Sequence, residues 1–594
     1  MKKTELLKER FGHNAFRTFQ EEAIDAILAH QDLIMILPTG GGKSLTYQLP
    51  ALLLEGTAIV ISPLIALMQD QVNALNMQQM QAAMIASNQS AIENEQVIQK
   101  LLRQELKFLY LSPERFNTPK MKSLLASATI SFFVIDEAHC ISEWGHEFRE
   151  DYRLLSSIKE AFPGCSIAAF TATATSAVQK DIESLLALYH PTIIRGTIYR
   201  PNLKITVQQR LKKGYDALKS FLAERRDARG IIYMSSRAKC EELSLYLNQN
   251  GFSSNYYHAG MDIYERNKVF ETFVRDQFNI MVATIAFGMG IDKSDIRFVV
   301  HMSMPKTLEN YYQEIGRAGR EGEDADALML FSGEDMVYAK MRLEEIENPS
   351  YRRNLTEKLA ILYRYITTEE CRHQFIARYF EDTIAPCKDS CDNCLSCGVE
   401  KKEITQEAQK FLSAIYRTKQ RFGKTYVIQI LRGASIQKIM DNEHHLLSVF
   451  GIGTSVSEKQ WLVICDRLFE IEALTLGEYQ TLHITPFGNE ILRGHQKVDI
   501  AVDRLNIKDK TRKVKLPETI EYDGALFGAL RLLRNEIAQD RNIPSYIVFQ
   551  DKTLKEMARL KPTTQSQLLA INGVGQKKYE QFGEQFLEKI AEFL

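Results

Sequence analysis

Short runs of β-branched and aromatic residues alternate with longer amphipathic stretches through the first half of the chain. Leu33–Leu37, Ala58–Ile61, Phe108–Leu111, Phe132–Ile135 and Ile167–Phe170 form one set; Ile231–Met234, Ile280–Ala283, Phe298–His301 and Ala327–Phe331 form a second. Unbroken apolar runs of this length predict strands buried on both faces, and the amphipathic stretches between them predict the helices that cover those faces. Such alternation makes parallel sheets, so the pattern predicts two α/β lobes. Their boundary falls near residues 200–210, where Tyr199-Arg200-Pro201-Asn202 interrupts the rhythm. Further on, a hairpin-like alternation runs from Leu474 to Thr485, and a charged, apolar-poor stretch from Lys508 to Lys515 reads as a linker. Tyr522 to Leu594 then reads as a separate small helical domain.

Length supports several domains, since 594 residues exceed the roughly 250–300 at which single cores stop growing. The 74 basic and 75 acidic side chains nearly cancel, so any affinity for nucleic acid must come from local patches. No stretch approaches the ~18 apolar residues of a membrane span, and Met1-Lys2-Lys3-Thr4-Glu5 leads into a charged helix instead of a signal-peptide core. A cytosolic protein without membrane partners is expected. Five of the nine cysteines lie between Cys371 and Cys397, and a reducing compartment favours metal over disulfides there.

Two segments carry the chemistry. Leu37-Pro38-Thr39-Gly40-Gly41-Gly42-Lys43-Ser44 joins a strand to a helix. Its glycines permit the positive φ and close backbone approach that wrapping phosphates requires; Lys43 adds charge and Ser44 a hydroxyl for Mg²⁺. Leu37 stands where the phosphate-loop pattern has its first glycine. Asp136-Glu137-Ala138-His139 follows the strand Phe132–Ile135, which sets two carboxylates at the end of a parallel strand, where open α/β sheets bind ligands. Asp136 would hold Mg²⁺ and Glu137 would orient the attacking water. An isolated Asp-Glu pair could equally cap a helix. With the phosphate loop upstream, the two segments predict a nucleotide-driven motor.

Other motifs surround them in order: Phe16-Arg17-Thr18-Phe19-Gln20, Ser62-Pro63-Leu64-Ile65-Ala66-Leu67, Ser112-Pro113-Glu114-Arg115-Phe116, Thr171-Ala172-Thr173-Ala174, Thr284 through Asp292-Lys293, and Tyr312 through Arg317-Ala318-Gly319-Arg320. With these the chain resembles the RecQ family of superfamily 2 DNA helicases over nearly its whole length. The resemblance implies that Arg17 and Gln20 read adenine, that Thr39, Gly40, Gly41, Gly42, Lys43 and Ser44 hold the phosphates of ATP, that Ser44 and Asp136 hold Mg²⁺, and that Asp292 belongs to the nucleotide site. Arg320 would be the arginine finger and Arg317 its neighbour; a surface basic pair is the plainer reading. The segment from Cys140 to Tyr152 is similar to the family's aromatic loop for single-stranded DNA, with Trp144, His146, Phe148 and Arg149 as contacts and His139 as the link to the nucleotide. Glu143 departs from the glutamine more usual there, and Trp144 with Phe148 could instead be core residues at i, i+4.

Four thiolates suit tetrahedral Zn²⁺, and the resemblance selects Cys371, Cys387, Cys391 and Cys394. The three-residue spacer between Cys387 and Cys391 leaves a Cys391/Cys394/Cys397 grouping open. The expected fold class is α/β: two RecA-like parallel-sheet lobes (1–205 and 206–340), a zinc-binding helical module (341–400), a winged helix (401–500), a linker (501–520) and a small all-α HRDC domain (521–594). The winged helix would grip duplex DNA or serve protein contact. In the last domain, Ile571-Asn572-Gly573-Val574-Gly575 with Lys577 and Lys578 could grip a DNA phosphate or form a plain capping turn.

The expected activity is ATP-dependent separation of DNA strands, with 3′-to-5′ polarity implied by the family, in recombination, repair and fork processing. An RNA helicase or a translocase that leaves duplexes intact is the alternative, and a DNA-binding scaffold with a vestigial motor is a third reading, opposed by intact Lys43, Asp136, Glu137 and Arg320. The family also implies single-strand DNA-binding protein and a type IA topoisomerase as partners, a monomer, and a bacterial, nucleoid-associated setting.

Overall fold

Consecutive residues of each central strand send their side chains to opposite faces, and the two faces become separate cores. In the first lobe Ile34, Ile59, Leu109, Phe133 and Ala169 pack on one side of the sheet. Leu33, Ala58, Phe108, Phe132 and Ala168 pack on the other. Each such side chain is buried, and burial of an Ile, Leu or Phe side chain stabilises by roughly 1.5–3 kcal/mol. The computed structural model describes residues 3–86, 89–142, 145, 149–287, 293–396, 401–477, 481–505, 522–541 and 543–594.

The first sheet has seven parallel strands: β1 (Leu33–Ile36), β2 (Thr57–Ile61), β3 (Ala82–Ile85), β4 (Phe108–Leu111), β5 (Ile130–Ile135), β6 (Ile167–Thr171) and β7 (Thr192–Arg195), in the order β3-β4-β2-β5-β6-β1-β7. The second has six: β8 (Leu203–Gln209), β9 (Arg229–Tyr233), β10 (Ser254–Tyr257), β11 (Ile280–Ala283), β12 (Ile296–His301) and β13 (Ala325–Phe331), in the order β10-β11-β9-β12-β13-β8. All pairings within both sheets are parallel. The two lobes and their central strands follow the hydrophobic pattern. The lobe break falls before Leu203, because β8 pairs with β13 along seven residues and so belongs to the second lobe.

Beyond the second sheet, helices Pro349–Thr367 and Arg372–Tyr379 lead into the cysteine cluster. Helices Thr405–Arg417, Lys424–Leu431 and Glu458–Glu470 enclose a further core. They carry two antiparallel pairs, β14 (Lys401–Glu403) with β17 (Asp499–Ala501), and β15 (Leu474–Leu476) with β16 (Leu482–Ile484). The second pair is the hairpin foreseen from the alternation at Leu474 to Thr485. The C-terminal domain is helical, built on Gly524–Asp540, Asp551–Leu560 and Glu584–Ala591 around Leu530, Leu554, Leu568 and Phe586. Of the linker expected over 501–520, residues 501–505 form the end of β17 and a helical turn, and the rest lies outside the described residues.

That last domain touches both lobes. On the first, Gly573 N donates to the Gly12 carbonyl at 3.2 Å, and His13 Nδ1 meets Asn572 Oδ1 at 3.1 Å. On the second, Arg297 Nη2 donates to Asp551 Oδ2 at 3.3 Å, and Lys555 pairs with Glu323.

Candidate active site

The phosphate loop turns between β1 and the helix Lys43–Leu53. Gly40 and Gly42 have φ of 81° and 82°, which favours glycine at both, and a Cβ on Gly42 would lie 2.4 Å from Gln20 Nε2 and displace that amide. Gln20 Nε2 donates to the Gly42 carbonyl at 3.2 Å and Arg17 Nη1 to the Gly40 carbonyl at 3.0 Å. Arg17 N in turn donates to Gln20 Oε1 at 2.8 Å. The two residues expected to read adenine thus also brace the loop.

Asp136 sits at the end of β5, where its carboxylate accepts from Ser62 Oγ at 3.3 Å and from Glu137 N at 3.0 Å. Burial, and next the neighbouring Glu137 carboxylate, push the Asp136 pKa up to about 6, against the pull of Lys43. A buried carboxylate with so little neutralisation suits a cation, and Ser44 with Asp136 is a hard-oxygen pair fit for Mg²⁺. Glu137 holds a left-handed backbone at φ 48°. Its Oε2 is 3.3 Å from His139 Nδ1, and the same nitrogen is 3.0 Å from Thr171 Oγ1.

Lys43, Ser44, Asp136, Glu137, Arg317 and Arg320 all line one cavity of about 720 Å³. The first four come from lobe one and the two arginines from lobe two. The lobes meet at the phosphate loop itself: a Cβ on Gly40 would stand 3.5 Å from Arg320 Cγ, and one on Gly316 would stand 3.5 Å from Thr39 Cβ. Arg317 is buried, so the solvated basic pair is not what the fold builds. Asp292 lies outside the described residues, although Lys293 beside it is buried against Asp276 and Asp295.

Of the residues expected at DNA, Trp144, His146 and Phe148 lie outside the described residues, as does Glu143. Arg149 is described; its Nη1 donates to the Pro63 carbonyl at 3.1 Å. His139, expected to link this segment to the nucleotide site and to belong with its DNA residues, is buried, and its ring joins Glu137 to Thr171. Tyr152, also buried, donates from its hydroxyl to the Asp136 carbonyl at 2.9 Å.

The sulfurs of Cys371, Cys387, Cys391 and Cys394 lie within 4.8 Å of one another. A tetrahedron of thiolates at Zn–S ~2.3 Å has edges of about 3.8 Å, so the set needs only slight contraction to hold zinc. Cys387 N points at Cys371 Sγ (3.3 Å) and Cys394 N at Cys391 Sγ (3.4 Å), the backbone donors expected around thiolates. With four protein sulfurs the shell is closed, which is a structural site. Cys397, the alternative ligand, lies outside the described residues.

Several residues that line or brace the site were given no part in it by the sequence reading. Ser62 and Thr171 belong to recognised motifs, but only contact with Asp136 and His139 reveals their use. Tyr546, Gln550, Asn572 and Lys578 of the C-terminal domain line the nucleotide cavity as well, and no local pattern signals that. The Gly573–Gly575 turn packs against lobe one, with a Cβ on Gly575 3.3 Å from Gly12 N.

Comparison with known proteins gives the family of the chain. Family models match in sequence: DEAD/DEAH box helicase over residues 17–182, helicase conserved C-terminal domain over 213–322, RecQ zinc-binding over 333–395, RQC domain over 398–509 and HRDC domain over 523–590. The ATP-dependent DNA helicase RecQ of Pasteurella multocida is 42% identical over 99% of this chain and 93% of its own length. The proteins of the same name from Haemophilus influenzae and Bacillus subtilis are 41% and 37% identical, over 99% of this chain and 95% and 98% of their own lengths.

Proposed function

The chain belongs to the RecQ family of ATP-dependent DNA helicases, and from that premise we propose that it separates DNA strands by closing and reopening its two lobes around ATP. The observation that carries this reading is the single cavity to which lobe one supplies Lys43, Ser44, Asp136 and Glu137 and lobe two supplies Arg317 and Arg320. Lys43 and the two arginines offset charge on the phosphoryl oxygens; Glu137 orients the attacking water. Ser44 and Asp136 would hold Mg²⁺, which would supply positive charge against the negative charge developing on the phosphates. Because the arginines come from the opposite lobe, the site is complete only when the cleft is shut, which couples hydrolysis to lobe movement. His139, between Glu137 and Thr171, is placed to pass the state of the cleft toward the Cys140–Tyr152 segment and the strand it would hold.

Zinc at Cys371, Cys387, Cys391 and Cys394 has a structural part, and the RQC and HRDC regions hold duplex or branched DNA in this reading. Translocation from 3′ to 5′, action as a single chain in the bacterial cytoplasm and nucleoid, and contacts with single-strand DNA-binding protein and a type IA topoisomerase are what family membership favours. Among the described residues no helix is long and apolar enough to cross a membrane. The test is strand separation on duplexes bearing a 3′ DNA tail, a 5′ DNA tail or an RNA tail, with ATP and Mg²⁺, beside Glu137→Ala. Activity on the 3′-tailed DNA that vanishes in the variant is expected. ATP hydrolysis without separation on any substrate would replace this reading by translocation.

A further inference from the structure

Arg200 lies in the short segment that joins the two lobes, and each of its five N–H groups has an oxygen partner. Nε reaches Asn202 Oδ1 at 3.3 Å. Nη1 reaches the Thr39 carbonyl at 3.3 Å and the Gly316 carbonyl at 3.4 Å. Nη2 reaches the Ala318 carbonyl at 3.0 Å and also the Gly319 carbonyl. One of these oxygens belongs to the phosphate loop of lobe one; three belong to the segment of lobe two that presents Arg317 and Arg320. A single rigid fork therefore spans the cleft at the point where the lobes meet.

Asn202 doubles the hold, donating from Nδ2 to the carbonyls of Gly319 at 2.8 Å and Glu323 at 2.6 Å. Burial works against the charge of Arg200, Tyr312 favours it, and Arg320 opposes it. The cavity beside it gathers Lys43, Arg317 and Arg320 together with the carboxylates of Asp136 and Glu137.

We propose that Arg200 is a positioning residue for phosphoryl transfer, which locks the Gly316–Arg320 segment to the Thr39 carbonyl and so sets the reach of Arg320 when the cleft is shut. The inference rests on reading the cleft as the ATP site. It does not make Arg200 a group that touches the reacting phosphate.

The test uses the full-length protein as Arg200→Lys, Arg200→Gln and Lys43→Ala, with kcat and KM for ATP under saturating single-stranded DNA, the Kd of a fluorescent ATP analogue, and the melting temperature. In Arg200→Gln, kcat is expected to fall about 10²-fold while the nucleotide Kd moves by less than about threefold. Arg200→Lys keeps the charge but cannot span four carbonyls, and is expected to lose about tenfold in kcat. If Arg200→Gln does not fold, Arg200→Lys alone decides. Native kcat per folded molecule in the folded variants, whatever their melting temperatures, overturns the proposal. Turnover retained by Lys43→Ala would remove the cleft reading and this inference with it; an inactive Lys43→Ala beside fully active Arg200 variants would remove this inference alone.

Discussion

The nucleotide cleft and the cysteine cluster are each made from a few side chains, held in opposite ways. Cleft residues arrive from two lobes, from Arg17 to Arg320, and meet where Gly40 faces Arg320. The four cysteines lie within one stretch from Cys371 to Cys394, and backbone N–H groups of that same stretch point at their sulfurs. The cleft buries a carboxylate whose pKa is pushed up to about 6, chiefly by burial, so its charge is disfavoured there. Chemistry that must be made and unmade in each cycle is divided across a hinge, whereas chemistry that only has to hold is confined to one loop. On this account, damage to the cleft should stop turnover without unfolding, and damage to the cluster should unfold before it stops turnover.

The largest effect that could break this contrast is Arg320→Ala. Loss of an arginine supplied from the opposite lobe should lower ATP turnover on the order of 10³-fold, and the melting temperature should stay within about 2 °C. Scanning calorimetry beside steady-state ATPase reads both, and coupled losses would erase the distinction. Cys391→Ser is expected to do the reverse, releasing zinc by elemental analysis and lowering the first melting transition by about 10 °C or more, with turnover falling only as folded protein is lost.

A pH series sharpens the contrast further. The folded pKa of Asp136 exceeds its unfolded value of 3.8, so this group favours the fold fully below pH 3.8, and that contribution is lost as pH rises through about 6. In Mg²⁺-free buffer, Asp136→Asn should therefore raise stability at pH 8 by up to about 3 kcal/mol, with the gain gone near pH 4. Chemical denaturation at the two pH values checks it, and an equal gain at both would show that the carboxylate stores no such energy. The smallest effect is expected from Tyr152→Phe, which removes one buried hydrogen bond to the Asp136 carbonyl and should cost about 1 kcal/mol with turnover within about threefold.

Where the sequence was readable follows from burial. Central strands such as β2 and β5, covered on both faces, show as unbroken apolar runs. The strands that the pattern passed over are β3, β7, β8 and β10, and these are the four sheet edges. Ser254–Tyr257 is half-buried throughout, and Leu203–Gln209 mixes Leu, Ile and Val with Lys, Thr and Gln, so neither resembles a buried strand. The chemical residues were legible because phosphate, metal and thiolate each demand particular side chains at short spacing. What links them was not: Arg200 stands in the segment that marked the lobe boundary, and its use appears only when Thr39 and Gly316 are brought to it. The approach of the C-terminal domain to the cleft, with Asn572 beside His13, joins segments too distant in sequence for any local signal.

The cysteine loop has one further neighbour. β8 is a sheet edge, and its outer side is occupied by that loop: Ile205 N donates to the Ser390 carbonyl at 2.9 Å, Val207 N donates to Asp392 Oδ2 at 3.0 Å, and Ile205 bridges to Cys391. An uncovered edge is a template for another chain. The cysteine segment thus covers this edge, and metal-stripped protein is expected to scatter more light than the zinc-loaded protein at equal concentration.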